Sequence, residues 1–370
     1  MISNKTVSIV EIYDHHIFVE TLCRILHKQD NKIIVYTIER IYQDLSVLLN
    51  DFDIVWRVKG SDESDLNFLI KSRKEIDGSD YLFVNTVQGK RIILFWLIKF
   101  NVITFFGAGR VSDFFRKKYA FFGFKSFRDL IYHNYSKFFL SILKNRIHGI
   151  IVHTHQAKEF ALSNGYNGKI IQLPFSLPIT QKSVGSPSKD DVIYFTVTGS
   201  IREFNRDHYG VTNAMYDLWL KGFKNFHLTI LSSIPKNDKQ DYAKAYIDHL
   251  EELSKNSFPI EFFRSRIPEE TYLDILKRTH FFIAPINIDY YSCGELTSTI
   301  VESIRVRKPA FYPEIYQPDK NLINASIFFN DFEDFKEKVQ AIIKDNENIT
   351  NIYDNALKSF KVYELENLVI

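Results

Sequence analysis

The sequence predicts an α/β protein made of two consecutive doubly wound halves, each a parallel sheet covered by helices. Three observations carry this. Short apolar runs rich in Val, Ile, Phe and Tyr alternate with segments of helical period along the whole chain. The runs are continuous rather than alternating in polarity, as in strands buried on both faces of a parallel sheet. The alternation breaks once, at the polar stretch ITQKSVGSPSKDD (179–191), and then restarts. A chain of 370 residues is long enough for two such domains.

In the first half the strands read as VSIVEI (7–12), IIVYT (33–37), DIVWRV (53–58), YLFVNT (81–86), VITFF (102–106), GIIVH (149–153) and KIIQL (169–173). Amphipathic segments such as IFVETLCRILHK lie between them. In the second half the strands are VIYFTV (192–197), FHLTIL (226–231), PIEFF (259–263), HFFIAP (280–285), PAFYP (309–313) and SIFFN (326–330). Helices are expected near 211–222, 239–255, 268–278, 297–306, 331–344 and 349–361. This gives domains over 1–178 and 192–348, a linker over 179–191, and a C-terminal helical piece over 349–370 that is expected to return toward the first domain. Ligands of doubly wound sheets bind at the carboxyl ends of the strands, so two such halves are expected to face each other across a ligand-binding cleft.

Bulk properties narrow the class. Hydrophobic residues are 45% and charged residues 25%, a globular composition. Cys23 and Cys293 are the only cysteines and stand far apart, which excludes a disulfide framework or a Cys-rich metal site. Glu11 and Asp14 interrupt the apolar run of the N-terminus, which therefore lacks a signal-peptide layout. The strongly apolar stretch Ile92 to Ile98 is far short of the ~20 residues that span a bilayer. A cytoplasmic location is expected, with any membrane contact peripheral at the inner face of the cell membrane. Net charge is +2, but Lys90 to Arg146 holds twelve Lys or Arg against Asp113 and Asp129, a surplus of ten. That asymmetry points to an anionic partner for one face.

Two segments of the second half carry the chemistry. In YYSCGELTSTIVESIRVRKPAFYP (290–313), a helix opens at Thr297, Ser298 and Thr299 soon after a strand. Its free N–H groups, the positive end of its dipole and three hydroxyls suit a diphosphate. Glu302, one turn inside, can accept two ribose hydroxyls at once. The alternative is an ordinary helix start whose acidic residues answer the dipole. In TGSIREFNRDHYG (198–210), directly after a strand, Gly199 and Ser200 permit a tight turn, and Arg202 and Arg206 suit the clamping of phosphate oxygens. A solvated charged turn is the alternative.

These segments resemble the donor signature of retaining GT-B glycosyltransferases of the family-4-like group. That pattern is Glu, seven residues, Glu, then Gly-Xaa-Pro before an apolar strand. Glu302 and Pro309 fall at the family's spacing. Gly294 stands where the first Glu belongs, with Glu295 one position late, and Thr297 and Arg307 replace two family glycines. Gly199 and Arg202 match the diphosphate motif, and Arg206 is taken as the second cation next to Asn205, where Lys is common. RSRIPEETYLDILKRTHFFIAP (264–285) resembles the family's loop, helix and strand beside the nucleotide base. The resemblance implies two Rossmann-like domains and a sugar moved from a nucleotide-sugar donor, UDP-sugar by family habit, to a glycan or lipid-linked acceptor. It implies retention and no metal or other cofactor. Arg202, Arg206, Glu295 and His16 are the catalytic candidates that follow, with Gly199, Ser200, Gly294, Thr297, Ser298, Thr299 and Glu302 binding the donor.

On the acceptor side, EIYDHHIFVETL places Asp14, His15 and His16 where relatives have a Gly-rich loop. They can orient a hydroxyl or carry a proton, or cap a helix whose histidines are at the surface. In NVITFFGAGRVSDFF, Gly107, Ala108 and Gly109 form a tight loop before Arg110, which suggests close backbone approach to a ligand. His153 and His155 end another strand and read better as satisfied structural histidines. Adjacent histidines do not share a helix face, so His15 and His16 do not suggest a metal site. The basic and aromatic segment 114–146 suits an anionic membrane surface, with nucleic acid the less favoured partner and core-packed helices the plain alternative. Two further functions stay open: a GT-B sugar-nucleotide epimerase or hydrolase, and a non-catalytic GT-B subunit.

Overall fold

The computed structural model describes residues 2–13, 15–86, 91–108, 111, 142–143, 146–179, 185–188, 191–202, 206–233, 240–265, 267–287, 296–316, 318–344 and 346–370. Asp14, Gly109, Arg110, Asn205, Gly294, Glu295, much of the expected linker and nearly all of the basic aromatic segment lie outside these residues. The chain divides into one unit of Met1–Ser176 with Leu365–Ile370, and a second of Leu177–Glu364.

The first unit is a seven-stranded sheet: β1 (Thr6–Glu11), β2 (Lys32–Ile38), β3 (Ile54–Lys59), β4 (Tyr81–Val84), β5 (Ile103–Gly107), β6 (Gly149–Val152) and β7 (Lys169–Gln172). Every pairing is parallel, in the order β3-β2-β1-β4-β5-β6-β7. Its described helices are α1 (His16–Lys28), α2 (Glu39–Ser46), α3 (Asp65–Asp77), α4 (Arg91–Leu97) and α5 (His155–Ser163). Helix α1 shows why the sequence folds this way. Phe18, Val19, Leu22, Ile25 and Leu26 recur at three and four residues and are all buried against the sheet. Each such side chain contributes about 1.5–3 kcal/mol of burial. The last six residues close this unit, where Ile2 N donates to Ile370 O at 2.7 Å and Lys28 Nζ to the carbonyls of Leu365 and Glu366.

The second unit is a six-stranded sheet: β8 (Ile193–Ser200), β9 (Phe226–Ser233), β10 (Ile260–Phe262), β11 (Phe281–Ile283), β12 (Ala310–Pro313) and β13 (Ser326–Phe329). It too is wholly parallel, in the order β10-β9-β8-β11-β12-β13. Helices α6 (His208–Leu220), α7 (Gln240–Lys255) and α10 (Phe332–Lys344) cover one face. Helices α8 (Glu269–Arg278) and α9 (Ser298–Val306) cover the other. Helix α11 (Asn346–Phe360) spans both cores, with Ile349 and Tyr353 in one and Ala356 and Phe360 in the other. So the C-terminal helix packs within the second unit, and only the residues after Glu364 belong to the first.

Both sheets have the Rossmann order 3-2-1-4-5-6, the first with one more strand at its edge. The order reverses between β1 and β4 and again between β8 and β11, so each unit has one topological switch point where ligands of such sheets bind. Among the described residues, no helix is long and apolar enough to cross a membrane.

Candidate functional site

At the switch point of the second unit, β8 runs three residues past its expected end. Thr198, Gly199 and Ser200 stay in register with Leu231, Ser232 and Ser233 of β9. Gly199 sits at φ +102°, a conformation that side chains rarely adopt. A methyl group there would stand 2.5 Å from Arg206 Nη2 and 2.5 Å from Ser298 Oγ. The glycine is thus the space into which the guanidinium fits. Arg206 is pinned from behind by a bridge to Ile286, and Asp207 N donates to Pro285 O at 2.7 Å. Its Nη2 donates to Ser298 Oγ at 3.2 Å and its Nη1 to Ser200 O at 3.3 Å. Asp207 then caps α6 by accepting from Gly210 N, which explains why that helix begins at His208, three residues earlier than its period suggested.

Helix α9 brings the other half. Thr297 is its N-cap, and its hydroxyl accepts from Ile300 N at 3.2 Å. The hydroxyl expected to hold phosphate also holds the helix start, as an acceptor. Ser298 and Thr299 face the end of β8, where Thr198 Oγ1 lies 3.5 Å from Ser298 Oγ and 3.3 Å from Thr299 Oγ1. Their amides precede the first intrahelical bond, from Val301 N to Thr297 O, and so carry the positive end of the dipole. A buried arginine, a glycine without Cβ, two hydroxyls and a helix N-terminus together make an anion seat. Arg202, half-buried, joins it through its carbonyl, which accepts from Arg206 N at 3.2 Å.

Glu302 is only 3% exposed and faces α8. Tyr272 Oη donates to its Oε1 at 2.8 Å, and Arg305 Nη1 to its Oε2 at 3.2 Å. Arg305 Nη2 also lies 3.5 Å from Glu269 Oε1. Burial pushes the Glu302 carboxyl above the ordinary range, with Arg305 pulling it back down. Helix α9 ends at Arg307, where the resembled family has glycine. Its φ of +54° is the left-handed conformation a glycine would take. Here the strain, about 1–2 kcal/mol, is offset by a forked pairing of its guanidinium with Glu364 and a bond to Ile179 O.

The first unit gathers a different set. Glu11, fully buried at the end of β1, accepts from Tyr13 N at 2.7 Å, Asn85 Nδ2 at 2.7 Å and Thr86 Oγ1 at 2.5 Å. This knot ties the β1 loop to the end of β4. His15 is the N-cap residue of α1 without a side-chain cap bond, and its ring meets Phe175 edge-on at 5.6 Å. His16 opens the helix, half-buried. The close approach that Gly107 permits is to the sheet itself, since a Cβ there would stand 2.2 Å from Asn85 O. His153 is packed edge-on between Phe18 and Phe175 and pairs with Leu173 O, and His155 pairs with Gln172. Thr198, Tyr272, Arg305 and the Glu11 knot were not anticipated. Only Glu302 and Arg305, three apart on one helix face, carried a local signal.

Among the described residues, three histidines are buried in their neutral form. Burial lowers His153 and His280 to about 4 and His208 to about 3. Their stabilising contribution is present above the unfolded value of 6.5 and is lost as pH falls toward the folded values. The thermal midpoint is therefore expected to fall as pH drops from about 7 to about 5, before most carboxylates titrate. A flat profile over that interval would contradict neutral burial.

No family model matches the chain, and no curated protein does either. Solved structures do. HepE from Anabaena in complex with UDP-glucose matches with a TM-score of 0.65 at 10% identity, over 98% of this chain and 96% of that one. Sucrose-phosphate synthase from Thermosynechococcus elongatus matches at 0.62 and 12% identity over the same shares. The pneumococcal O-GlcNAc transferase GtfA in complex with UDP and GlcNAc matches at 0.59 and 8% identity, again over 98% and 96%. At such identities the likeness shows the fold, GT-B, over nearly the whole chain.

Proposed function

We propose that the chain is a glycosyltransferase that takes a nucleotide-sugar donor, UDP-sugar first among them, in its second unit. The observation that carries this reading is Arg206, 5% exposed and aimed at the N-terminus of α9 through the space left by Gly199. Burying a guanidinium beside a helix N-terminus places two positive ends together, an arrangement that suits an anion. The likeness to structures solved with UDP, UDP-glucose or GlcNAc supports the choice of donor.

In this reading the diphosphate lies against Arg206, Arg202, Ser298 and the first amides of α9, with the ribose toward Glu302. As the bond from the anomeric carbon to the phosphate oxygen breaks, negative charge gathers on the diphosphate, where the arginines stabilise it. An acceptor hydroxyl attacks from the departing face, its proton passes to the leaving oxygen, and the new glycosidic bond keeps the anomeric configuration. The acceptor is a glycan or a lipid-linked sugar. No step calls for a metal.

The test is a thermal-shift screen with UDP, GDP, ADP, CMP and their common sugar conjugates. A ligand at about 100 times its dissociation constant is expected to add about 2.7 kcal/mol of stability. Arg206→Ala is expected to erase the UDP shift. No shift with any nucleotide would overturn the reading.

A further inference from the structure

The bonds around Glu302 form a bridge between two helices. Tyr272 and Glu269 stand on α8, Glu302 and Arg305 on α9, and elsewhere the helices share an apolar core of Ile275, Leu276, Ile300 and Ile304. Glu302 and Arg305 are buried there, and placing them in that seam is costly unless each is paired. They are paired in sequence: Tyr272 Oη to Glu302 Oε1, Arg305 Nη1 to Glu302 Oε2, and Arg305 Nη2 to Glu269 Oε1. Each carboxylate oxygen of Glu302 thus has one donor and keeps lone-pair capacity for another. The carboxylate is held from both sides in one rotamer. A side chain held this way loses little freedom when it accepts further hydrogen bonds.

We propose that Tyr272 and Arg305 are positioning residues for Glu302. They aim its carboxylate at the ribose hydroxyls and, through α8, link it to the loop that precedes that helix. The inference rests on the donor-site reading above. In this reading each acts on the ribose through Glu302. Tyr272→Phe keeps the buried ring and removes one bond. Arg305→Lys keeps the charge and removes the fork that spans Glu302 and Glu269.

The test is calorimetric titration of the full chain and both variants with UDP and with 2′,3′-dideoxyuridine diphosphate, which lacks the hydroxyls. Wild type is expected to prefer UDP. Tyr272→Phe is expected to weaken UDP about fivefold to tenfold and leave the dideoxy compound unchanged, so the preference collapses. Arg305→Lys is expected to move the same ratio in the same direction. Equal weakening of both ligands would mean that the bridge only holds the helices together, and would overturn the proposal. So would an unchanged ratio in both variants. A wild type that binds both ligands equally overturns it as well but leaves the diphosphate seat standing. A wild type that binds neither removes the donor-site reading and this proposal with it.

Discussion

Glu302→Ala is expected to lower the stability of the second unit by about 3 kcal/mol, the scale for removing one partner of a buried ion pair. The cost does not come from a lost apolar contact. Arg305, at 5% exposed, would lose the carboxylate that lies 3.2 Å from its Nη1, and Tyr272 Oη would lose its acceptor. Glu302→Gln is expected to cost less, because the amide oxygen still accepts a hydrogen bond. The two variants also differ with pH. Burial raises the Glu302 carboxyl above 4.5. The folded state then binds a proton more tightly than the unfolded state, so this group's contribution is present in acid and lost as pH rises through the folded value. Wild type is therefore expected to lose stability relative to Glu302→Gln as pH rises from 4.5. Denaturant unfolding at several pH values measures both effects. Equal stability of wild type and Glu302→Ala would show that Arg305 has no need of the carboxylate. UDP binding should fall in the same variant by about 1–3 kcal/mol, the worth of hydrogen bonds to a charged group.

The second large effect is expected at Gly199. Gly199→Ala puts a methyl group 2.5 Å from Arg206 Nη2 and Ser298 Oγ, in a backbone conformation with φ +102°. The strain alone is about 1–3 kcal/mol. The clash falls on two groups of the proposed diphosphate seat, so the guanidinium must leave its place between Ser200 O and Ser298. UDP affinity is expected to drop about 100-fold, from the loss of one or two charge-assisted bonds of about 1.5–3 kcal/mol each. A titration of UDP into the folded variant checks this. Unchanged affinity would mean that phosphate does not sit beside Arg206.

Most of the fold was legible because a parallel sheet buries both faces of its strands. Such strands appear as continuous apolar runs, and all thirteen expected runs are strands here, with ends shifted by a few residues. The end of β8 lies beyond what its composition predicts, for a physical reason. Thr198, Gly199 and Ser200 look like a turn by composition, but pairing with β9 holds them in the ladder. The C-terminal piece shows the same limit. Its helical period is plain, but its partner depends on cores built by strands and helices elsewhere in the chain. Arg307 adds a third case. Composition argues against a left-handed residue there, and the pairing with Glu364, 57 residues on, together with the bond to Ile179 O, offsets it.

The sequence by itself determined the α/β class, the two halves, the strands and the residue types gathered near Gly199 and Thr297. These are local properties, written in period, composition and the short spacing between a strand and the next helix. Tertiary structure alone decided which of these groups meet. It placed Arg206 against Ser298 across 92 residues, turned Thr297 to capping, and joined Tyr272 to Glu302 across 30. It also turned the glycine at 107 to sheet packing against Asn85. Hydrogen bonds between distant side chains depend on the positions of whole helices and strands, which are set by the packing of many apolar residues together, and no short stretch of sequence encodes them.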